Sequence, residues 1–555
     1  MNKFLNTLIA LLMLVVSVDA QTVEELLKPV TGTYAIKDVT IIQKPGQQIE
    51  KGTIVIKDGI IHAVGANVKV PADAEVLEAD GMYVYAGFID GLSNVGVPAP
   101  KQSGNNNRAS RPSGAVRGNP PNSLAGITPE ISASDKISMT DGEIKALRKL
   151  GFTTVHVAPR GGMLPGKSAV IVLAGDKATD MIIKEDVALV ATFQGGPRVF
   201  PSTIMAVMTK YRELFGQARQ LLAHQKAYAA NPAMVRPESN ETLEALIPAI
   251  EGKQPVFMVA PGVKDLYRAL TLEKDLDVNM TMAGVQQGWY VADQLKASKK
   301  PILVSMDLPK EIKEKKASDK KKDPEYEALE ARKMKAYNEH LGQAATMSKA
   351  AIPFAFASMG TKSSDISGNL KRMIKAGLSA DQALTALTTA PAEMLGLSKV
   401  LGTVEKGKIA NLVISDQPYF GEKSNVRFVV ADGTVFPYAA PKKRAAGEKG
   451  AKKAAVGGAW SYTIDIPGQT TDGTLTLEDS NGEITGKAKT TQTPEATIND
   501  AELEGNVLTF SLPVDVQGQS LTLEFELTFD GDKFDGTVVV GAFGTFDIEG
   551  SKTPE

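Results

Sequence analysis

A chain of 555 residues is longer than one hydrophobic core usually serves, so two or three domains are expected. With 43% hydrophobic and 23% charged residues, wholesale disorder is excluded. The 62 Lys and Arg against 64 Asp and Glu leave a net charge of -2, which gives no general pull towards nucleic acid or an anionic membrane. The absence of cysteine excludes a disulfide scaffold, a thiolate metal site and a cysteine nucleophile.

Residues 1–20 hold Lys3, an apolar run from Leu8 to Val16, and then Ser17-Val18-Asp19-Ala20. A positive start, a short apolar centre and small residues at the end predict a signal peptide cleaved after Ala20. The run is about half of the ~20 residues that span a bilayer, so it is not read as an anchor. The protein is therefore expected to be exported, periplasmic or extracellular in a Gram-negative-type bacterium, with no transmembrane segment.

Residues 21–85 read as β structure. Asp58-Gly59 stands between two β-branched runs, which is a hairpin signal, and His62 falls on that hairpin as a surface residue. Ala86-Gly87-Phe88-Ile89-Asp90-Gly91-Leu92-Ser93-Asn94-Val95-Gly96 then opens a long α/β region over 86–398. The stretch from Pro98 to Pro129 is rich in Gly, Asn, Ser and Pro and reads as a loop; Arg108, Arg111 and Arg117 either serve an anionic ligand or are simply solvated. Glu143 to Leu150 is helical, and a long helix follows around Ile204 to Leu222. Short apolar strands at Phe152–Ala158, Ala188–Thr192, Val256–Ala260, Asn279–Ala283, Ile302–Met306 and Phe354–Ser358 alternate with helices, which predicts a parallel sheet closed as a (β/α)₈ barrel. The charged tract between Leu308 and His340 reads as a solvated helical insertion, with a docking surface as the alternative.

Ser379 can cap a helix over the Ala- and Leu-rich run that ends near Pro391. Leu401 to Ile414 returns the chain to β, closing a second β segment over 399–440. The basic, Ala- and Gly-rich residues 441–456 read as a linker. From 457 to 555 the period-two alternation and the turns Asn481-Gly482, Gly505-Asn506 and Asp530-Gly531 predict an antiparallel all-β domain.

The stretches 86–96, 378–392 and 401–414 together resemble the amidohydrolase superfamily, and Gly151 to Val170 with Phe200-Pro201-Ser202-Thr203 resemble its imidazolonepropionase-like, exported bacterial branch. The resemblance implies a TIM-like barrel beside a composite small β-sandwich, and hydrolysis of carbon–nitrogen bonds by metal-activated water. It also implies a divalent metal such as zinc, held by two His on the first barrel strand, one His on each of two middle strands, and an Asp on the last. In this chain those positions fall on Leu92 and Asn94, near Val259, near Gly284, and on Met359 or, under a shifted alignment, Lys362. The four histidines, His62, His156, His224 and His340, are too dispersed to replace them, so no metal or other cofactor is expected. An oxygen-only site from Asn94, Asp307 and Asp365 is the remaining metal option. Gly161 to Ser168 matches a phosphate loop in letters but opens no helix.

Two readings follow. In the first, the barrel has lost its chemistry, binds a small-molecule ligand in a pocket lined by Leu92, Asn94, Val259, Gly284 and Met359, or pairs with a metal-competent amidohydrolase paralogue. In the second, a rebuilt site containing His156, Lys362 and Asp365 hydrolyses non-peptide or dipeptide carbon–nitrogen bonds.

Overall fold

The computed structural model describes residues 32–98, 118–175, 177–196, 198–312, 324–438, 454–466, 469–480, 483–490, 495–516, 519–540 and 544–553. Residues 1–20, read from sequence as a signal peptide, Arg108, Arg111 and Arg117, the middle of the charged insertion and the basic residues of 441–453 lie outside the described residues. The chain divides into two compact units, Met1–Tyr438 and Ala439–Glu555.

In the first unit, strands β1 (Thr33–Lys44), β2 (Gln47–Lys57), β3 (Ile60–Gly65), β4 (Glu75–Leu77) and β5 (Tyr83–Ala86) come before the barrel. The predicted hairpin forms at Asp58-Gly59, where φ is 51° and 75°, the left-handed pair that a tight two-residue turn demands. After the barrel, β16 (Leu412–Ser415), β17 (Val426–Ala431) and β18 (Thr434–Pro437) join the same sheet, because β16 lies antiparallel to β5 with Leu412 opposite Ala86. The result is one eight-stranded sheet in the order β18-β17-β16-β5-β1-β2-β3, with β4 beside β1. Its apolar residues, among them Ile36, Ile41, Ile54, Val84, Leu412 and Val430, form a single core. The composite expectation holds in connectivity, but hydrogen bonding makes it one sheet rather than two.

The barrel staves are β6 (Phe88–Ser93), β7 (Phe152–Val157), a third made from β8 (Gly166–Lys167) and β9 (Ala169–Val172), then β11 (Leu189–Thr192), β12 (Val256–Val259), β13 (Met280–Ala283), β14 (Ile302–Ser305) and β15 (Phe354–Ala357); β10 (Ile182–Lys184) edges β9. Pairings β6–β7, β11–β12–β13 and β14–β15 are parallel. A Val285–Val304 bridge joins β13 to β14, and the Met359 amide donates to Leu92 O at 3.0 Å where β15 meets β6.

The third stave departs from the all-parallel expectation. β9 runs antiparallel to β7 and β8 antiparallel to β11. The connection 158–165 is shorter than the dozen or so residues that a parallel crossover needs, so the chain turns straight back through Gly161-Gly162. The long helix Ile204–Ala230, capped by Thr203, and the helix Ala380–Leu387, with a Ser379/Gln382 capping box, cover the outside.

The second unit is a nine-stranded antiparallel sheet among the described residues, whose first strand, Gly458–Ile466, pairs with its last, Gly544–Lys552. Trp460, Leu475, Phe510, Phe525, Leu527 and Phe529 build its core. Val456 is buried in that core and accepts the Trp460 indole N–H at 2.9 Å, so this unit's packing starts just before 457.

Candidate site at the barrel axis

The interior of a barrel is filled by side chains from alternate positions on its staves. Here the filling is apolar. Leu92, Val190, Phe257, Ala283, Leu303, Ala355 and Ala357 form one buried cluster, and Val259 and Met359 pack against it half-buried. Leu92 has 0% exposure, so the first of the resemblance-implied ligand positions is a packing residue. Asn94 turns its amide to Ala158 O at 2.9 Å. Gly284 has φ +65°, a conformation that favours glycine, with Val259 beside it. The five predicted pocket residues therefore sit around the axis at the strand ends, but largely as packing and turn residues.

Two ionisable groups share this interior. His156, on β7, has 0% exposure. Its Nδ1 is 2.8 Å from Gly91 O and its Nε2 is 2.7 Å from Ser168 Oγ. A carbonyl only accepts, so Nδ1 carries the proton and Nε2 accepts the serine hydroxyl. Ser168 Oγ also accepts the Ala188 amide at 3.1 Å. Phe257 meets the imidazole edge-on with centroids 5.1 Å apart. Burial, with Lys184 nearby adding to it, pushes the His156 pKa down to about 4 against the Gly91 hydrogen bond, so the ring is neutral.

Asp90 is equally sealed. Its Oδ1 accepts the amides of Leu92 at 3.2 Å and Ser358 at 3.0 Å, while Oδ2 has no partner. Burial pushes its pKa up to about 7 despite those hydrogen bonds. Asp90 thus fastens β6 to the end of β15, where the barrel closes.

Lys362 and Asp365 are elsewhere. Lys362 is exposed at the N-cap of the helix Ser363–Lys375, and Asp365, exposed in its first turn, accepts the Ser364 hydroxyl at 3.0 Å. The expected set His156, Lys362 and Asp365 is not assembled, because both ring nitrogens of the sealed histidine are already engaged within the barrel. Nor does the oxygen-only set form: Asn94 and Asp307 bond to Ala158 O and to the Gln286 amide. Among the described residues no group of three or more His, Asp or Glu side chains is arranged to hold a metal ion. A divalent metal, implied by the resemblance, does not fit this donor set: one carboxylate and one engaged imidazole face a wall of Leu, Val, Phe, Ala and Met. Sequence reasoning missed Asp90 and Ser168 as the polar partners of the interior; an Asp within the apolar run of β6 was the available signal.

The sequence profile of the amidohydrolase family matches residues 306–436. No curated protein matches the chain. Among solved structures, an amidohydrolase from Thermotoga maritima MSB8 is 20% identical and superposes over 73% of this chain and 100% of its own with a TM-score of 0.59. A prolidase complexed with N-methylphosphonate-L-proline is 16% identical over 73% of this chain and 100% of its own, at a TM-score of 0.44. An adenosine deaminase from Xanthomonas campestris with bound zinc is 14% identical over 72% and 92%, at 0.39. The profile falls on the last barrel stave and the returning sheet strands, and the Thermotoga protein shares the fold around them, so residues 306–436 carry the amidohydrolase family's sequence pattern within an amidohydrolase-like fold.

Proposed function

We propose that this chain is a non-catalytic member of the superfamily, holding no catalytic metal, whose barrel serves as a ligand-binding or partner-pairing scaffold. The observation that carries this reading is the apolar filling of the axis: Leu92, Val259 and Met359 occupy positions where the family's chemistry needs nitrogen and oxygen donors. The fitting partner is a metal-competent amidohydrolase paralogue. The segment 1–20 supports export to the periplasm or beyond, and no helix of the described residues is long and apolar enough to cross a membrane.

One contact favours hydrolysis instead. The 2.7 Å Ser168–His156 pair has the spacing of a nucleophile and its base. It is enclosed on every side, however, and a substrate carbonyl cannot approach it without opening the barrel.

The test is the metal content of the purified mature protein by elemental mass spectrometry, after dialysis against trace Zn²⁺ and Mn²⁺. The expected result is no stoichiometric ion. About one tightly held ion per chain, or carbon–nitrogen hydrolysis abolished by His156→Ala, overturns the proposal.

A further inference from the structure

The outer face of the second unit carries a groove of about 1190 Å³. It crosses five neighbouring strands, Glu483–Thr490, Gln469–Ser480, Gly458–Ile466, Gly544–Lys552 and Lys533–Val540. The strand registers set its lining in two lines that run across the strands. Lys489, Thr474, Ser461, Ser551 and Lys533 stand side by side in one. Asp472, Thr463, Glu549 and Asp535 stand side by side in the other. On each shared strand the two lines are two residues apart, so both point to the same face. The residues between them, Tyr462, Gly473, Phe534 and Gly550, belong to the inner face, and Tyr462 and Phe534 are buried in the unit's core.

The sequence explains the hollow. From Lys489 to Lys533 the first line runs long, short, short, short, long, so its ends stand high and its middle lies low. The floor is braced from inside. A Cβ on Gly473 would come within 2.3 Å of Tyr462 Cζ, and one on Gly550 within 2.3 Å of Phe534 Cζ, so the two rings fill the space beneath the glycines. The Tyr462 hydroxyl also donates to Lys489 O at 3.2 Å.

The walls select the ligand. Asp472, Asp535 and Glu549 line one side, and lysines and hydroxyls line the other, with Asp530 paired opposite Lys533 at the end. Acidic and basic groups so interleaved give little net field to hold a strongly charged polymer. Among the described residues no group of three or more His, Asp or Glu side chains is arranged to hold a metal ion. Carboxylates accept, ammoniums donate and hydroxyls do both, so a ligand rich in hydroxyls can satisfy every group in the lining. Thr463 Oγ1, donating to Asp472 Oδ1 at 2.9 Å, makes the kind of bond that a ligand hydroxyl makes there. Spacing points the same way. Neighbouring strands lie about 4.8 Å apart, close to the advance of one pyranose unit in an extended polysaccharide, whereas an extended peptide advances about 3.3 Å per residue and falls out of step with the two lines.

We propose that this groove binds a neutral polysaccharide lying across the strands, its hydroxyls donating to Asp472, Asp535 and Glu549 and accepting from Lys489 and Lys533. The two aromatic residues of the lining, Tyr462 and Phe534, are buried, so recognition rests on hydrogen bonds and not on stacking. The site lies in the second unit and goes beyond the reading of the barrel without depending on it.

The test is affinity electrophoresis of the mature protein in native gels cast with neutral glucan, mannan, xylan or galactan, and separately with cationic glycol chitosan and anionic alginate. At least one neutral polymer is expected to slow the protein, and oligosaccharides cut from that polymer to relieve the effect. Ser551→Tyr, which fills the floor, and Glu549→Gln, which removes a charged acceptor, are each expected to weaken the retardation about fivefold or more. Both residues are exposed, so neither change disturbs the core. Thr476→Tyr, exposed on the same strand face as Thr474 but outside the groove, is expected to change nothing. Retardation by no neutral polymer, retardation by glycol chitosan or alginate alone, or equal retardation of Ser551→Tyr and the wild-type protein overturns the proposal. None of these outcomes depends on turnover or metal content, so this site and the non-catalytic reading fail separately.

Discussion

His156 and Asp90 are both shut away from solvent in the barrel interior, and burial moves their proton affinities in opposite directions. His156 falls from 6.5 to about 4, so between those values the unfolded chain binds a proton that the folded one rejects. Its contribution to stability is complete above 6.5 and is lost as pH falls towards 4. Asp90 rises from 3.8 to about 7, so its folded form keeps a proton that the unfolded chain releases. Its contribution is complete below 3.8 and is lost as pH rises through 7. Each effect is roughly 3–4 kcal/mol, and the two oppose one another across the mildly acidic range. Asp90→Asn is expected to unmask the His156 effect, so that melting temperature climbs between about pH 4 and pH 6.5 where the two groups in the wild-type protein largely cancel, and thermal scans across pH check it; an unchanged profile shows that Asp90 is already ionised in the fold. At this scale the sequence was partly legible. The loss of the family's donor residues could be read from Leu92, Asn94 and Val259. The role of His156 could not, because its partners Gly91 and Ser168 lie on other staves and no local pattern announces them.

Strand identities were legible because short β-branched runs bounded by turns leave few alternatives, and each predicted apolar strand of the barrel is present. The direction of the third stave was not. An apolar run such as Ala169–Val172 looks the same whichever way it points, and only the short loop 158–165 carried the information. Where the barrel closes, β6 passes so near β15 that a Cβ on Gly91 would come within 2.7 Å of Phe356 O and 2.5 Å of a Leu303 methyl. Gly91→Ala is therefore expected to destabilise the protein by roughly 1–3 kcal/mol, measured by denaturant unfolding. Leu92→Ala, one residue on, should cost about 2–5 kcal/mol by opening a cavity on the axis. If Leu92 instead lined an open ligand pocket, its truncation would leave stability nearly unchanged, so this variant separates a packed axis from a hollow one.

At the scale of the molecule, the composite sheet was legible from two β segments flanking an α/β region, and the C-terminal unit from its period-two alternation. The contact between the rings of Trp289 and His340 was not, since residues from two separate stretches of sequence meet only after folding. If packing and not a metal organises the barrel, prolonged chelation with EDTA should leave the melting temperature unchanged. A fall of more than a degree or two would mean that an ion binds the native state.

The pairing of β5 with β16 also bears on how the chain is made. Tyr83–Ala86 emerges from the ribosome more than 300 residues before its neighbour Leu412–Ser415. Until then it is a half-paired strand, a site for unwanted association, and closing so long a loop is slow. A nascent chain held at residue 400 is thus a hazardous intermediate, whereas one that has reached 438 has every partner its first sheet requires. Under the export proposed from residues 1–20 this delay is useful, because it keeps the polypeptide thread-like while a translocation channel still needs it so.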